Sequence, residues 1–218
     1  MSKWTETELE TLVELRAEGK TWSEISEVMS FTPNKCRKAY YRYVRDTAKY
    51  TQVDVNVKVL VLDIETAPIL AHVWQLFDQN VALNQIVEDW SILSWSAKWI
   101  GSDRVMYKDN RDQKNPRNDK HLLQEIWDLL DEADVVIGQN SKRFDIKKLN
   151  ARFILNGMKP PSSFRQIDTM ILAKRHFSFT SNKLEYMTKN LCTEVKKSEH
   201  KEFPGFSLWK ECLAGNPK

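Results

Sequence analysis

Asp63 and Glu65 close an aliphatic run, Val59-Leu60-Val61-Leu62-Asp63-Ile64-Glu65-Thr66. The run predicts a strand buried on both faces of a sheet. Side chains at i and i+2 of a strand share a face, so the two carboxylates project together. Side by side they repel and are costly to desolvate, which makes sense where a cation neutralises them. A divalent metal with oxygen ligands suits that pair. A third acid, Asp145, ends the stretch Gly138-Gln139-Asn140-Ser141-Lys142-Arg143-Phe144-Asp145. At the first turn of a helix, capping explains an aspartate by itself. Beside Asp63 and Glu65 it supplies what a two-metal site needs.

These residues need a scaffold. Ser91–Ile100 alternates as a second strand and Arg104–Lys108 as a third. Ala67–Asp89 has no clean period and Asp109–Asp119 predicts a loop. Leu122, Leu123, Ile126, Leu129 and Leu130 mark an amphipathic helix, Val135–Ile137 a short buried strand, and Phe144–Asn156 a further helix. This order predicts a mixed α/β sheet flanked by helices. Asp168-Thr169 reads as the cap of a helix over Thr169–Arg175 rather than as a metal ligand.

The first fifty residues differ in character. Thr5 with Glu8, and Thr21 with Glu24, fit capping boxes, and Thr32-Pro33 opens a third helix through about Arg45. Residues 31–50 carry Lys35, Arg37, Lys38, Arg42, Arg45 and Lys49 against Asp46 alone. Three helices with the basic residues on the last match a helix-turn-helix, and predict DNA binding through Lys35, Arg37, Lys38, Arg42 and Arg45. A solvated basic face on a protein-interaction module is the plainer alternative. The pattern Trp4 … Gly19-Lys20-Thr21-Trp22 … Ile25 … Cys36-Arg37 … Tyr40 resembles Myb/SANT-like domains. The expected organisation is a helix-turn-helix domain over 1–48, a linker over 49–56 and an α/β domain over 57–218.

The charge is consistent with nucleic acid as partner, with a solvated lysine-rich surface as the plainer alternative. Residues 51–140 hold 8 Lys/Arg against 15 Asp/Glu, and residues 141–218 hold 16 against 7. An acidic middle followed by a basic segment suits metals held by acids and phosphates steered by lysines. Three scattered cysteines make no disulfide framework, and no apolar stretch reaches membrane-spanning length. An intracellular, cytoplasmic location is expected. His72, His121, His176 and His200 share no ligand spacing.

Leu-Asp-Ile-Glu-Thr and Gly-x-Asn-x-x-x-Phe-Asp, in order and about eighty residues apart, resemble the first two motifs of DEDD-type 3′–5′ exonucleases of the RNase H-like superfamily. Ile167-Asp168-Thr169, Ser181-Asn182-Lys183-Leu184 and Gly205-Phe206-Ser207-Leu208-Trp209 resemble its branch of predicted exonucleases from bacteriophages and bacteria. The resemblance implies an RNase H-like fold, Asp63, Glu65 and Asp145 as catalytic metal ligands for two Mg²⁺ or Mn²⁺ ions, and Thr66, Asn140, Phe144 and Lys183 as substrate-binding residues. Position 139, often histidine in this branch, is Gln139.

The family's third motif adds an aspartate preceded by His or Tyr, yet no aspartate follows Asp168. The sequence therefore predicts a domain truncated before its last helix, with Phe206–Leu213 lacking a partner and little or no activity. The function expected is a metal-dependent 3′–5′ exonuclease of DNA carrying a DNA-binding module. The alternatives are a non-catalytic nucleic-acid-binding protein with a vestigial nuclease fold, and an RNase or structure-specific endonuclease.

Overall fold

The computed structural model describes residues 4–47, 57–197 and 201–216, with backbone alone at 45–47. The expected linker 49–56, the Arg45 side chain and His200 lie outside the described residues.

Three helices open the chain: α1 (Glu6–Ala17), α2 (Trp22–Met29) and α3 (Pro33–Thr47). Capping boxes Thr5/Glu8 and Thr21/Glu24 satisfy the free N–H groups of α1 and α2. At α3 the Thr32 hydroxyl accepts from the Lys35 N–H at 3.3 Å. Leu12, Trp22, Ile25, Cys36, Ala39, Tyr40 and Val44 form a core of their own.

The second unit runs β1 (Val59–Thr66), β2 (Leu70–Ala71), β3 (Ile86–Glu88), β4 (Ile92–Trp99), β5 (Val105–Asp109), α4 (Lys120–Glu132), β6 (Val135–Gly138), α5 (Asp145–Leu155), β7 (Arg165–Asp168), α6 (Thr169–His176), α7 (Leu184–Leu191) and α8 (Ser207–Leu213). The main sheet has the order β5-β4-β1-β6-β7. β4 and β5 are antiparallel to their neighbours, whereas β1, β6 and β7 run parallel. This is a mixed α/β sheet flanked by helices. Residues 67–89 are less irregular than expected, since β2 and β3 pair as a small second sheet. The helix α7 lacks a sequence expectation; its apolar positions pack on no fully buried face.

Leu60, Leu62 and Ile64 of β1 are buried in one core with α4 and α5, notably Leu122, Ile126, Leu149 and Phe153. The alternate residues Val59 and Val61 are half-buried, and Asp63 and Glu65 are exposed. The strand is central in the sheet but covered fully on one face only. The expected burial on both faces is thus corrected: the aliphatic run reflects the central position, and the second face opens into a cleft.

The two units meet at the N-terminal ends of the parallel strands. Asp134, just before β6, is 4% exposed. Its Oδ1 accepts from Trp22 Nε1 at 2.9 Å, and its Oδ2 from the Lys58 N–H at 2.9 Å and from Arg16 Nη2 at 3.4 Å. Asp131 accepts from the Ser23 hydroxyl and the Ser162 N–H, both at 2.7 Å. Arg37 Nη2 donates to the Ala133 carbonyl at 2.9 Å. Burial pushes the Arg37 guanidinium pKa down, with Asp134 the largest opposing charge.

Candidate active site

Asp63 and Glu65 stand on the face of β1 opposite Ile64. Their cross-strand neighbours on β4 are Ser96 and Ser94, small residues that share the face and leave room above the carboxylates. The sequence signal for them was the alternation in Ser94-Trp95-Ser96-Ala97, where Trp95 and Ala97 are buried. The carboxyls of Asp63 and Glu65 are both pushed up, chiefly by the surrounding protein. For Glu65 the charge of Asp63 adds to the rise, and for both Lys197 opposes it.

Asp145 is the first residue of α5 and is 2% exposed. Its Oδ1 accepts from the Ile64 N–H at 3.0 Å, which ties α5 to the strand between the two other acids. Burial raises its pKa to about 6; the N–H groups of Ile64 and Asp145 oppose the rise, and the charges of Asp63 and Glu65 add to it.

The turn from β6 to α5 that delivers Asp145 is held by Asp168. That buried carboxylate accepts from the N–H groups of Asn140 at 3.0 Å and Lys142 at 3.1 Å. It also caps α6 through Met170 and Ile171. Asn140 has φ +62°, a left-handed conformation that asparagine tolerates. Gly138 admits no side chain: an added Cβ would lie 2.6 Å from Ser141 Cβ and 2.9 Å from the Leu62 carbonyl. Thr169 Oγ1 donates to Gln139 Oε1 at 2.5 Å, and Gln139 Nε2 to the Asn182 carbonyl at 2.9 Å. Gln139 thereby links the turn to the segment leading into α7.

A cleft of about 990 Å³ lies over the carboxylates, lined by Asp63, Glu65, Gln139, Lys174, Lys183 and Lys197 among others. Four lysines, counting Lys196, share it with three exposed carboxylates, those of Asp63, Glu65 and Glu185. Lys183 lies in this lining; Phe144, just before α5, is exposed and is not part of the lining, with Lys148 Nζ 5.7 Å from its ring. Thr66 ends β1 at a register shift. Lys148 Nζ also lies 3.6 Å from the Trp90 ring, an aromatic–cation group that no motif announced. The segment Phe206–Leu213, expected to lack a partner, lies as α8 against the β4–β5 side, where Leu208, Trp209 and Cys212 line a pocket with Glu65, Leu93 and Tyr107.

The donor chemistry fits a hard divalent cation at Asp63 and Glu65: two carboxylates share one face, and the charge of Asp63 raises the proton affinity of Glu65. The fit is narrower than the sequence predicted. Among the described residues, no group of three or more His, Cys, Asp or Glu is arranged to hold a metal, and one oxygen of Asp145 accepts from the Ile64 N–H.

On α3, Lys38 and Arg42 are exposed, whereas Arg37 is 6% exposed against the α/β unit. Lys35 is half-buried, with Nζ 3.6 Å from the Phe31 ring. The sequence placed Arg37 among DNA contacts; the structure turns its guanidinium to Ala133 instead. No helix among the described residues is long and apolar enough to cross a membrane.

Comparison with known proteins agrees with this architecture. Residues 4–53 match the family of Myb-like DNA-binding domains. Among solved structures, the family B DNA polymerase from the hyperthermophilic archaeon Pyrobaculum calidifontis is similar, with a TM-score of 0.51 and 15% identity over 74% of this chain and 22% of that chain. The protein thus spans under a quarter of that polymerase, and the likeness concerns the fold alone. The Mos1 Strand Transfer Complex, at 11% identity over 100% of this chain and 79% of that chain, has a TM-score of 0.19 and carries no argument. No curated protein matches. Residues 96–215, more than half of the chain, match the RNase_H superfamily, and the protein belongs to that superfamily, with a Myb-like module at its N-terminus.

Proposed function

We propose that the protein is a metal-dependent 3′–5′ exonuclease of DEDD type that hydrolyses DNA, with its Myb-like module holding the substrate. The observation that carries this reading is the Asp63–Glu65 pair, set on one face of β1 in a cleft walled by lysines. Nucleases of the superfamily generally use divalent metal ions, and Asp63 and Glu65 would hold one here, with the second oxygen of Asp145 as a further donor. When bound, such an ion supplies charge neutralisation and Lewis-acid polarisation of the scissile phosphate. Lys174, Lys183 and Lys196, which line the cleft, would hold the phosphodiester. Phe144 offers a stacking surface for the terminal base. Hydrolysis breaks the bond from phosphorus to the 3′ oxygen, adds hydroxide from water to the phosphorus, and returns a proton to the leaving oxygen.

With 5′-labelled single-stranded DNA and Mg²⁺ or Mn²⁺, the expected products form a ladder shortened from the 3′ end. Asp63→Ala should abolish it, and a blocked 3′ end should protect. Cleavage of circular single strands would instead identify an endonuclease. Cleavage that survives Asp63→Ala overturns the active-site assignment.

A second reading has one observation in its favour: Asp145 already satisfies a backbone donor, and no third ligand is arranged with Asp63 and Glu65 among the described residues. A protein that binds nucleic acid without cutting it would show salt-dependent affinity and indifference to divalent ions.

A further inference from the structure

The helical module and the cleft sit at opposite ends of the parallel strands. The seam lies where β1, β6 and β7 begin: Asp134 binds the Lys58 N–H, and the Arg165 N–H donates to the Asp134 carbonyl at 2.9 Å. The carboxylates lie where β1 ends. From Lys58 to Asp63 is five residues, about 17 Å of extended strand. β7 is the edge strand that joins these ends, running from Arg165 at the seam to Asp168 at the turn.

The orientation of α3 follows from which of its residues touch the α/β unit. Asn34 Oδ1 accepts from the Ser163 hydroxyl at 2.7 Å, and Arg37 donates to Ala133. Lys38 follows Arg37 by one residue, about 100° round the helix, and Arg42 lies one turn on. The exposed basic stripe therefore borders the seam beside Ser163, two residues before β7.

Charge continues along the same side. Arg165 is exposed at the start of β7, and Lys142 at its far end, where the Lys142 N–H binds Asp168. Lys174 and Lys183 follow in the cleft wall. Between residues 141 and 184 the only acids are Asp145 and Asp168, and both are buried. That segment offers a nucleic-acid backbone no exposed carboxylate; Glu185, the next acid, is exposed in the cleft wall beside Lys183.

We propose that Lys38, Arg42, Arg165, Lys142, Lys174 and Lys183 form one phosphate track, and that the substrate it fits is duplex DNA with a 3′ single-stranded tail. The duplex lies on α3 and the edge of β7, and the tail enters the cleft. This rests on the nuclease reading for what happens to the tail, not for the binding itself. The hydrogen bonds across the seam set the spacing. Adding the roughly 10 Å diameter of α3 to the strand length gives about 27 Å, or about eight base pairs at 3.4 Å each.

The test measures binding of tailed duplexes to the full chain in EDTA, with duplex stems from about 4 to about 16 base pairs and one constant tail. Affinity should rise by roughly tenfold or more as the stem passes about eight base pairs, then level off. Lys38→Glu with Arg42→Glu should remove that gain and lower the salt slope by about 2. Arg165→Glu should weaken long-stem binding several-fold while leaving a single-stranded oligonucleotide unaffected. Circular dichroism melts of each variant check that it folds. Affinity independent of stem length, or an equal loss on tailed and single-stranded DNA, overturns the track. Because binding is read without metal, the track can fail while tail hydrolysis stands. Equally, hydrolysis can fail while the stem-length step remains.

Discussion

Asp145 shows how a single carboxyl serves position at the expense of charge. Its folded pKa of about 6 lies above the ordinary 3.8, so between those values the folded protein binds more protons than the unfolded chain. Stability from this group is full below about pH 4, falls as pH rises through 6, and stays lower above it. A rise of about two units corresponds to about 3 kcal/mol. Asp145→Asn keeps an oxygen for the Ile64 N–H and removes the buried charge. Denaturant melts of metal-free protein should show it more stable than wild type by up to about 3 kcal/mol at pH 7.5, and nearly equal at pH 4. A gain that is the same at both pH values would count against the buried-charge explanation. Mg²⁺ should stabilise wild type far more than the variant. Asp63, Glu65 and Asp145 were legible in the sequence by type and spacing. The commitment of an Asp145 oxygen to Ile64 was not, since it depends on how close α5 approaches β1.

At the scale of elements, the turn between β6 and α5 is the part with least tolerance. Gly138 lies against the Leu62 carbonyl and Ser141, too close for any Cβ. Gly138→Ala must push β6 from β1 or displace the turn that positions Asp145. A loss of about 2 kcal/mol or more is expected in urea melts, with cleavage reduced beyond the fraction unfolded. An alanine variant as stable as wild type would show that the turn yields. Asp168 belongs to the same device, accepting from four N–H groups across the turn and α6. The Asp-Thr pair announced the cap of α6. Nothing local announced the bonds to Asn140 and Lys142, because they join residues 26 and 28 positions away. The strands β1, β4, β5 and β6 and the helices α1 to α6 were readable from period and caps. The pairing of β2 with β3, and α7, were not, because their burial is too slight to impose a clear period.

For the whole molecule, the seam decides how the two units behave. Asp134 gathers Trp22, Arg16 and the Lys58 backbone from both sides. Asp134→Ala leaves those donors buried without an acceptor, at a cost on the order of 3–5 kcal/mol. Calorimetry should then resolve two transitions where wild type shows one, since each unit has its own core. A single, merely lowered transition would mean that the units remain coupled by packing alone. The stem-length dependence of DNA binding should weaken in the same variant, as α3 loses its fixed place.

The sequence by itself determined the parts: two capped helices and a basic third one, an aliphatic strand ending in two acids, and a glycine turn ending in a third. Those signals are local, set by caps, period and hydrophobic pattern. The tertiary structure alone decided how the acids and bases are used. It opened one face of β1 into a lysine-walled cleft, tied Asp145 to Ile64, and turned Arg37 inward to Ala133 while leaving Lys38 and Arg42 outside. Each of these outcomes depends on burial and on partners distant in the chain, and neither composition nor spacing encodes them.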